Sequence, residues 1–241
     1  MLLEGKTALI TGAGRGIGRG IALAFARQGC RIAAVARTEE EVGQTVAEVE
    51  KTGSDAIALV ADVTKHDEVQ VAVQAALDRF GQIGILVNNA GYADFKPFDE
   101  LSLDDWSYTM DVNVFGVVRF IRAVLPSMKS RGSGRIINIS SVAGVKPIPK
   151  QSAYCASKAA LNALSKTLAM ELREHNIAVN AICPGGVDTR LAADAMPERD
   201  RAGWMTPADI AHVALFLATQ SPRATTDEII IRRFGSVPVG G

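Results

Sequence analysis

The chain has 241 residues, of which 48% are hydrophobic and 22% are charged, and at this length it can bury a full core without disulfides or a structural metal. Lysine plus arginine equals aspartate plus glutamate at 26 each, so the net charge is zero. That balance argues against a nucleic-acid partner, which would need a basic excess.

The sequence also indicates where the protein resides. It contains no apolar run long enough to span a membrane, and the N-terminus lacks the features of a signal peptide. The three cysteines are odd in number and form no CxxC pair, which is typical of a reducing compartment. The three histidines are far apart along the chain. We therefore expect a cytoplasmic protein with no membrane association and no metal site.

Short apolar runs alternate with longer amphipathic stretches along the chain. Predicted strands cover residues 7–11, 31–36, 56–63, 83–91, 135–141, 177–185 and 227–233. Predicted helices cover residues 16–29, 39–53, 67–81, about 102–130, about 152–175 and 207–220. Strands that are apolar on both faces and alternate with helices indicate a parallel sheet covered on both sides. With no linker and no repeat, the pattern predicts one doubly wound α/β domain over 1–241, with about seven strands.

A glycine-rich segment, TGAGRGIG at residues 11–18, joins the first strand to the first helix. Gly12, Gly16 and Gly18 allow a tight turn, close approach of the backbone to a pyrophosphate, and close helix–strand packing. The N-terminus of the helix offers unpaired N–H groups to the phosphates. This position in a doubly wound pattern favours a nucleotide-binding loop over a plain structural turn.

The spacing TGxxxGxG resembles that of the short-chain dehydrogenase/reductase family. Three further segments match family motifs in order: ADV (61–63), NNAG (88–91) and PGGVDT (184–189). The resemblance implies a Rossmann fold and a nicotinamide cofactor. It also implies that Asp62, beside Val63, meets the adenine, although the asparagines of NNAG could equally be turn residues. The remaining cofactor contacts that the resemblance implies are Ile17, Asn89, Ala90, Gly91, Pro184, Gly185, Val187 and Thr189, together with Tyr154 and Lys158.

The residues at the end of the second strand indicate whether the cofactor carries a 2′-phosphate, that is, whether it is NADP(H) or NAD(H). Enzymes that use NAD(H) place an acid there to bind the ribose 2′-hydroxyl, but this chain has Ala36 followed by Arg37. Arg37 and Arg15, which lies inside the glycine loop, could hold a 2′-phosphate with charge-assisted hydrogen bonds. We therefore expect NADP(H) to be preferred and NAD(H) to be possible, unless both arginines are merely solvated.

Four residues match the family's catalytic tetrad in order and context, namely Asn113, Ser141, Tyr154 and Lys158. Tyr154 and Lys158 lie one helical turn apart, on the same face. An ammonium about 5 Å from the phenol, at an effective dielectric near 20, contributes about 3 kcal/mol, or about 2 pKa units. Lys158 should therefore lower the pKa of Tyr154, so that Tyr154 acts as general acid for reduction and general base for oxidation.

The other members of the tetrad have supporting roles. Ser141, preferred to Ser140 for its spacing to the tyrosine, can donate a hydrogen bond to the developing alkoxide. By resemblance, Lys158 also holds the ribose, and Asn113 fixes a water that links Lys158 to solvent. Taken singly, each of these residues also has an ordinary structural explanation.

The substrate side departs from the family pattern. Only 17 positions separate Thr189 from Thr206, which suggests a short lid at about 190–206 and an open pocket. Side chains of this segment could line the pocket or pack helices, and they are Leu191, Met196, Trp204 and Met205. The C-terminal tail, TTDEIIIRRFGSVPVGG, is also unusual for the family.

The body of the chain resembles bacterial 3-oxoacyl-acyl-carrier-protein reductases and their relatives. An acyl carrier protein would need a basic docking surface, for which Lys129, Arg131 and Arg173 are candidates, although such residues usually serve helix ends and solubility. We rank a free ketone or secondary alcohol slightly ahead as substrate. A nucleotide-binding regulator that has lost catalysis is the remaining alternative. By resemblance we expect a homotetramer or dimer built on the helices at 102–130 and 152–175.

Overall fold

A computed structural model describes residues 1–221 and 223–239 of the chain. In these ranges, seven parallel strands form one sheet in the order β3-β2-β1-β4-β5-β6-β7, which confirms the predicted fold class and strand number. The strands are β1 (Thr7–Thr11), β2 (Arg31–Ala36), β3 (Ala56–Val60), β4 (Ile85–Asn88), β5 (Gly134–Ile139), β6 (Ile177–Pro184) and β7 (Glu228–Ile231). The helices are α1 (Gly16–Ala26), α2 (Glu39–Glu50), α3 (His66–Phe80), α4 (Leu103–Met110), α5 (Gly116–Arg131), α6 (Ser152–Glu171), α7 (Arg190–Ala195) and α8 (Pro207–Ala218).

The strands are apolar on both faces because helices cover both sides of the sheet. Along β1, Ala8 and Ile10 pack into a core with α1, α2 and α8, while Leu9 points into a second core with α3, α5 and α6. All five residues of β1 are buried. This two-sided burial explains why the strands read as continuous apolar runs and not as alternating ones.

The sheet reverses its direction of growth between β1 and β4, which are neighbours in space but not in sequence. In open parallel sheets a crevice opens at such a point, outside the carboxyl ends of the strands. The predicted motifs all follow strand ends, so the topology brings them to this one edge of the sheet.

The third strand ends at Val60, earlier than the predicted 56–63. The reason is the side chain of Asp62, whose Oδ1 accepts hydrogen bonds from the backbone N–H of Thr64 (2.9 Å) and from its hydroxyl (2.8 Å). This local bond turns the chain out of the sheet.

The long helix predicted at about 102–130 is interrupted. A π-helical turn, Asp111–Phe115, separates α4 from α5, and in it the N–H of Gly116 donates to the carbonyl of Asp111 five residues earlier. Such turns inside α-helices are frequent at functional sites. The helix predicted at about 152–175 ends at Glu171, and the 3₁₀ turn that follows ends at Asn176, which adopts a left-handed conformation with φ of 54°.

None of the helices in the two described ranges combines the length and apolar character needed to cross a membrane. Within the same residues, no group of three or more histidine, cysteine or acidic side chains is placed to hold a metal ion.

Candidate active site

A cavity of about 910 Å³ opens at the carboxyl ends of the strands. Its wall brings together the predicted site residues from all the motifs: Gly12, Arg15, Gly16, Ile17, Arg37, Asp62, Val63, Asn89, Ala90, Gly91, Ser141, Tyr154, Lys158, Pro184, Gly185, Val187 and Thr189. Two predicted residues, Gly18 and Asn113, lie behind this wall. Both contact groups that form it, as described below.

The glycine loop leaves room along the cavity because its glycines are packed against a second loop. A Cβ built on Gly12, where φ is +63°, would lie 2.8 Å from Asn89 Nδ2 and 2.9 Å from Ala90 Cα. A Cβ on Gly18 would collide with the carbonyl oxygen of Gly12. Gly18 therefore serves close packing of α1 on the loop, one of the three roles expected for these glycines.

The first turn of α1 is open to a ligand. Arg15, the residue before the helix, gives no side-chain hydrogen bond to that turn, and Gly16 and Ile17 line the cavity. An uncapped helix N-terminus offers N–H donors and positive potential, which fit a pyrophosphate. The residues present therefore fit the diphosphate of a dinucleotide.

Thr11 organises the contact between the first and fourth strands. Its Oγ1 accepts hydrogen bonds from the backbone N–H groups of Asn89 and Ala90, both at 3.0 Å. The Asn89 side chain donates in return to the carbonyls of Thr11 and Gly12, also at 3.0 Å. Asn88 is buried and donates to Asn138 Oδ1 (2.8 Å), so it holds two strands together. Thr11 was missed as a functional residue, although it opens the quoted glycine motif.

The two predicted phosphate-binding arginines lie on the cavity wall, but each one faces a carboxylate. Arg15 Nη1 lies 2.9 Å from Glu41 Oε1, and Arg37 Nη1 lies 3.8 Å from Asp62 Oδ2. Arg37 also donates to the hydroxyl of Tyr108 (3.1 Å). Sequence reasoning considered only the end of the second strand and so missed Glu41, which reaches the cavity from the first turn of α2.

Tyr154 and Lys158 both project from α6 into the cavity, with Lys158 Nζ 5.7 Å from the centre of the Tyr154 ring. Lys158 Nζ donates to the carbonyl of Ile139, at the end of β5, at 3.0 Å. Ser141 follows the same strand end, where its hydroxyl accepts from the N–H of Ala143 (3.1 Å) and donates to the carbonyl of Pro184 (3.5 Å). The Ser141 hydroxyl also lies close enough to Tyr154 to lower the pKa of the phenol. Ser140 instead turns inward and donates to the carbonyl of Lys158 (3.3 Å).

The expected lowering of the Tyr154 pKa is wrong for the protein by itself. Burial raises the pKa of Tyr154 to about 12, and the neighbouring Ser141 hydroxyl, which lowers it, only partly offsets this. Burial also lowers the pKa of Lys158 to about 8. Loss of solvation disfavours both the phenolate and the ammonium, and it is the largest cause of both pKa shifts.

Asn113 is fully buried in the π-helical turn and fixes the segment after the fourth strand. Its Oδ1 accepts from the N–H of Tyr92 (2.8 Å), and its Nδ2 donates to the carbonyl of Tyr92 (2.9 Å) and to Ser157 Oγ (3.0 Å). A Cβ built on Gly91 would lie 3.5 Å from Asn113 Oδ1 and 3.8 Å from Lys158 Nζ. The space above Gly91 therefore lies next to both Asn113 Oδ1 and Lys158 Nζ.

Comparison with known proteins agrees with this geometry. The family model for short chain dehydrogenase matches residues 6–200. The chain belongs to the short-chain dehydrogenase family. It is an oxidoreductase of the class that acts on CH–OH groups with a nicotinamide cofactor.

Individual short-chain dehydrogenases match over nearly the whole chain. The 3-oxoacyl-(acyl-carrier-protein) reductase FabG of Thermotoga maritima is 35% identical over 239 residues, which covers 95% of this chain and 97% of the relative. A metagenomic short-chain oxidoreductase solved in complex with NADP has a TM-score of 0.86 at 32% identity, covering 98% of this chain and 100% of the other. An NAD⁺-bound xylitol dehydrogenase has the same TM-score and identity, covering 95% and 98%.

The end of this dehydrogenase cavity beyond Tyr154 is lined by aromatic and apolar groups. Phe95 packs edge-on against the Tyr154 ring, with 5.4 Å between centroids. Leu191, Met196 and Trp204 line the cavity, as sequence reasoning allowed. Met205 does not line it, because Met205 is buried in the core and forms a parallel bridge opposite Val187, with backbone hydrogen bonds to Gly186 and from Asp188.

Proposed function

We propose that the protein is an NADP(H)-dependent oxidoreductase that interconverts a ketone and a secondary alcohol, with Tyr154 as the acid/base group. The observation that carries the proposal is the meeting of Ser141, Tyr154 and Lys158 on one wall of the cavity that also holds the glycine loop. Ser141 and Tyr154 adjoin on that wall, so a carbonyl oxygen placed against them could accept a hydrogen bond from each hydroxyl.

The chemistry divides between the cofactor and the chain. Bound NADPH supplies the hydride. Tyr154 donates its phenolic proton to the carbonyl oxygen as negative charge develops there, and Ser141 stabilises the same oxygen by a hydrogen bond. Lys158, held by the Ile139 carbonyl, places a positive charge beside the resulting phenolate and favours proton release. Asn113 holds the adjoining loop. After Lys158 has passed a proton to the Tyr154 phenolate, a water above Gly91 would return a proton to Lys158 from solvent.

The ionisation of the site supports reduction as the favoured direction. A pKa of about 12 keeps Tyr154 protonated at neutral pH, which is the form that a general acid needs. In the oxidation direction the phenol must first lose its proton. We therefore expect oxidation of the alcohol to accelerate as the pH rises toward about 12, and reduction of the ketone to slow only when the pH approaches about 12 and Tyr154 loses its proton.

The proposed preference for NADP(H) rests on Arg15 and Arg37, which flank the cavity near the ends of β1 and β2. Guanidinium groups bind phosphate oxygens with charge-assisted hydrogen bonds. Glu41 reduces this preference by pairing with Arg15, so NAD(H) is expected to bind as a second cofactor. The solved relatives include one bound to NADP and one bound to NAD⁺.

The test follows NADPH and NADH absorbance with a panel of simple ketones and diketones. We expect turnover with NADPH to exceed turnover with NADH in the wild type, and Arg37→Asp to reverse the order. Arg223→Asp is the matched control, because Arg223 is exposed and outside the cavity. NADPH binding with no turnover of any carbonyl compound, the acyl thioester described below included, would favour the alternative of a nucleotide-binding regulator.

A 3-oxoacyl group on an acyl carrier protein is the second candidate substrate. It is favoured by the similarity to the Thermotoga maritima reductase over 95% of this chain. Of the three candidate docking residues, Arg131 is the least available to a carrier protein. Its guanidinium already donates to the Ile83 carbonyl (3.1 Å) and the Ser133 carbonyl (2.8 Å) of its own chain. Turnover of a 3-oxoacyl carrier protein well above that of the matching free thioester would establish this candidate over the first.

We also propose that the chain self-associates through α4, α5 and α6, in a cytoplasmic enzyme. Large apolar side chains are exposed there, including Leu103 on α4, Phe115 beside α5 and Met170 near the end of α6. Exposed apolar groups of this size are typical of contact surfaces. Light scattering should give a dimer or tetramer, and a monomer would contradict the proposal.

A further inference from the structure

The C-terminal tail forms a turn built around one arginine. Arg232 Nη1 donates to the carbonyls of Arg233 (3.2 Å), Phe234 (3.3 Å) and Ser236. The hydroxyl of Ser236 donates back to the carbonyl of Arg233 (2.9 Å). The unusual tail is therefore folded into a defined turn directly after β7.

This turn lies against the cavity. Gly185 N–H donates to the carbonyl of Ile231 (2.8 Å), and a Cβ on Gly185 would lie 3.6 Å from Arg232 Cα. Gly185 belongs to the segment after β6 that lines the cavity, and the next tail residue, Arg233, lines it as well. The turn thus delivers Arg233 to the active-site end of the molecule.

Arg233 lies over the face of an aromatic ring and has no acid beside it. Its guanidinium lies 5.5 Å from the ring centre of Trp204, and Trp204 itself is fixed against Gly186, where a Cβ would lie 2.9 Å from the indole. Among the described residues no carboxylate lies within 4 Å of this guanidinium; Glu198, an acid on the same wall, is farther away. The cation–π contact uses the face of the guanidinium and none of its N–H donors, so these donors are available for a bidentate oxoanion.

The position of Arg233 separates it from the cofactor phosphate. β7 forms one edge of the sheet, whereas β2, which carries Arg37 after its end, lies next to the opposite edge. Four strands stand between them. Lys150 and Arg199 also line the cavity and add positive charge to it. The positive charge of Arg233, at the β7 side of the cavity, is therefore available to the substrate.

We propose that Arg233 determines substrate specificity by binding an oxoanion of the substrate, a carboxylate or a phosphate, remote from the reacting carbonyl. The proposal rests on the proposed function, since it assigns the substrate end of the same cavity. It narrows the substrate class from ketones in general to oxo acids or oxo phosphates.

The experiment compares charged and neutral forms of the same ketone. Oxo carboxylates with the carbonyl at positions 2 to 5 are paired with their methyl esters, and oxo phosphate monoesters are run beside them. In the wild type, kcat/KM for the best charged compound should exceed that of its neutral partner by about ten- to a hundredfold. Arg233→Met should reduce this ratio to about one, while the neutral ester and the Kd for NADPH stay unchanged.

Two variants distinguish an effect of the Arg233 charge on substrate preference from a general effect of the substitution on the structure. Arg233→Lys should recover part of the preference, because it keeps the charge but not the bidentate geometry. Arg223→Met, an exposed arginine outside the cavity, should leave the preference intact. Equal rates for acid and ester in the wild type, or a loss in Arg233→Met that affects both alike or weakens NADPH binding, would overturn the inference.

A binding measurement separates this inference from the proposed reaction. The chain has two tryptophans, so in Trp106→Phe the emission comes from Trp204, beneath Arg233. Oxo acids should change that emission in the NADP⁺-loaded protein, and Arg233→Met should abolish the change. If the change is seen but no carbonyl compound is turned over, the oxoanion site stands and the proposed reaction fails. If no oxo acid or oxo phosphate changes the emission, the oxoanion site fails.

Discussion

Gly18→Ala tests the packing that shapes the cofactor loop. The added methyl would collide with the carbonyl oxygen of Gly12 and lie 2.5 Å from Asn89 Nδ2. Since ordinary contacts begin near 3.4 Å, the loop or the helix must move by about 1 Å. Overpacking of this kind costs about 1–3 kcal/mol, and loss of an Asn89 hydrogen bond adds about 1 kcal/mol. We therefore expect the free energy of unfolding to fall by about 2–4 kcal/mol.

Two measurements are made on each variant: urea denaturation gives the free energy of unfolding, and a separate titration of the folded protein gives the Kd for NADPH. Gly43→Ala is the matched control, because Gly43 lies inside α2 and a Cβ there would have no neighbour within 4 Å. Alanine is favoured over glycine in a helix, so this variant should gain about 0.5–1 kcal/mol. Gly18→Ala should also bind NADPH at least about tenfold more weakly, because the loop is displaced. A Gly18→Ala protein as stable as Gly43→Ala, with unchanged affinity, would refute the packing argument.

Three further predictions concern charge and space in the cavity. Glu41→Gln removes the carboxylate beside Arg15 and should tighten NADPH binding by about two- to fivefold, as expected for an exposed pair, with NADH binding unchanged in the same titration. Burial lowers the pKa of Lys158 from its ordinary 10.5 to about 8, so between these pH values the unfolded chain binds more protons. The stability of the wild type relative to Lys158→Met should therefore rise by about 1.4 kcal/mol per pH unit across that window, and a flat difference in urea denaturation would contradict it. Gly91→Ala fills the space beside Asn113 and should lower kcat, measured at saturating NADPH, by about tenfold, whereas equal kcat would exclude a water path there.

Much of the fold could be predicted because its signals are local in sequence. Apolar runs marked each strand, and Gly81, in the left-handed conformation, directly follows α3. Gly29 and Gly53 adopt the same conformation three residues after α1 and α2 end, so the helices predicted at 16–29 and 39–53 were each three residues too long. The glycine loop could be placed because it had to follow the first strand. Strand and helix ends were less accurate, since a side-chain bond such as that of Asp62 to Thr64 ends a strand without changing its apolar pattern.

Features that depend on tertiary contacts could not be predicted. The π-helical turn at Asp111–Phe115 leaves no mark on the apolar periodicity of the helix. Glu41 reached the cavity only through the packing of α2 beside the glycine loop, where a Cβ on Gly14 would lie 2.9 Å from Glu41 Cβ. The pKa of Tyr154 depended on burial, which a spacing of four residues does not reveal.

At the substrate end of the cavity, too, the sequence identified candidate residues but could not show which of them face the cavity. Trp204 and Met205 are adjacent in sequence and both apolar, yet Trp204 lines the cavity and Met205 is buried in the core. The backbone bridge between Met205 and Val187 turns the Met205 side chain into the core and leaves Trp204 facing the cavity. The tail after β7 had no matching motif, so the position of Arg233 became evident only from the structure.

The most direct test of the account is the effect of Tyr154→Phe on NADPH-dependent carbonyl reduction, measured together with the Kd for NADPH. The account predicts that turnover falls by about 10²- to 10⁴-fold, the usual contribution of a general acid, while NADPH affinity is unchanged. Tyr92→Phe is the matched control, since Tyr92 lines the same cavity. Turnover within tenfold of the wild type in Tyr154→Phe, or an equal loss in Tyr92→Phe, would contradict the assignment of Tyr154 as the acid.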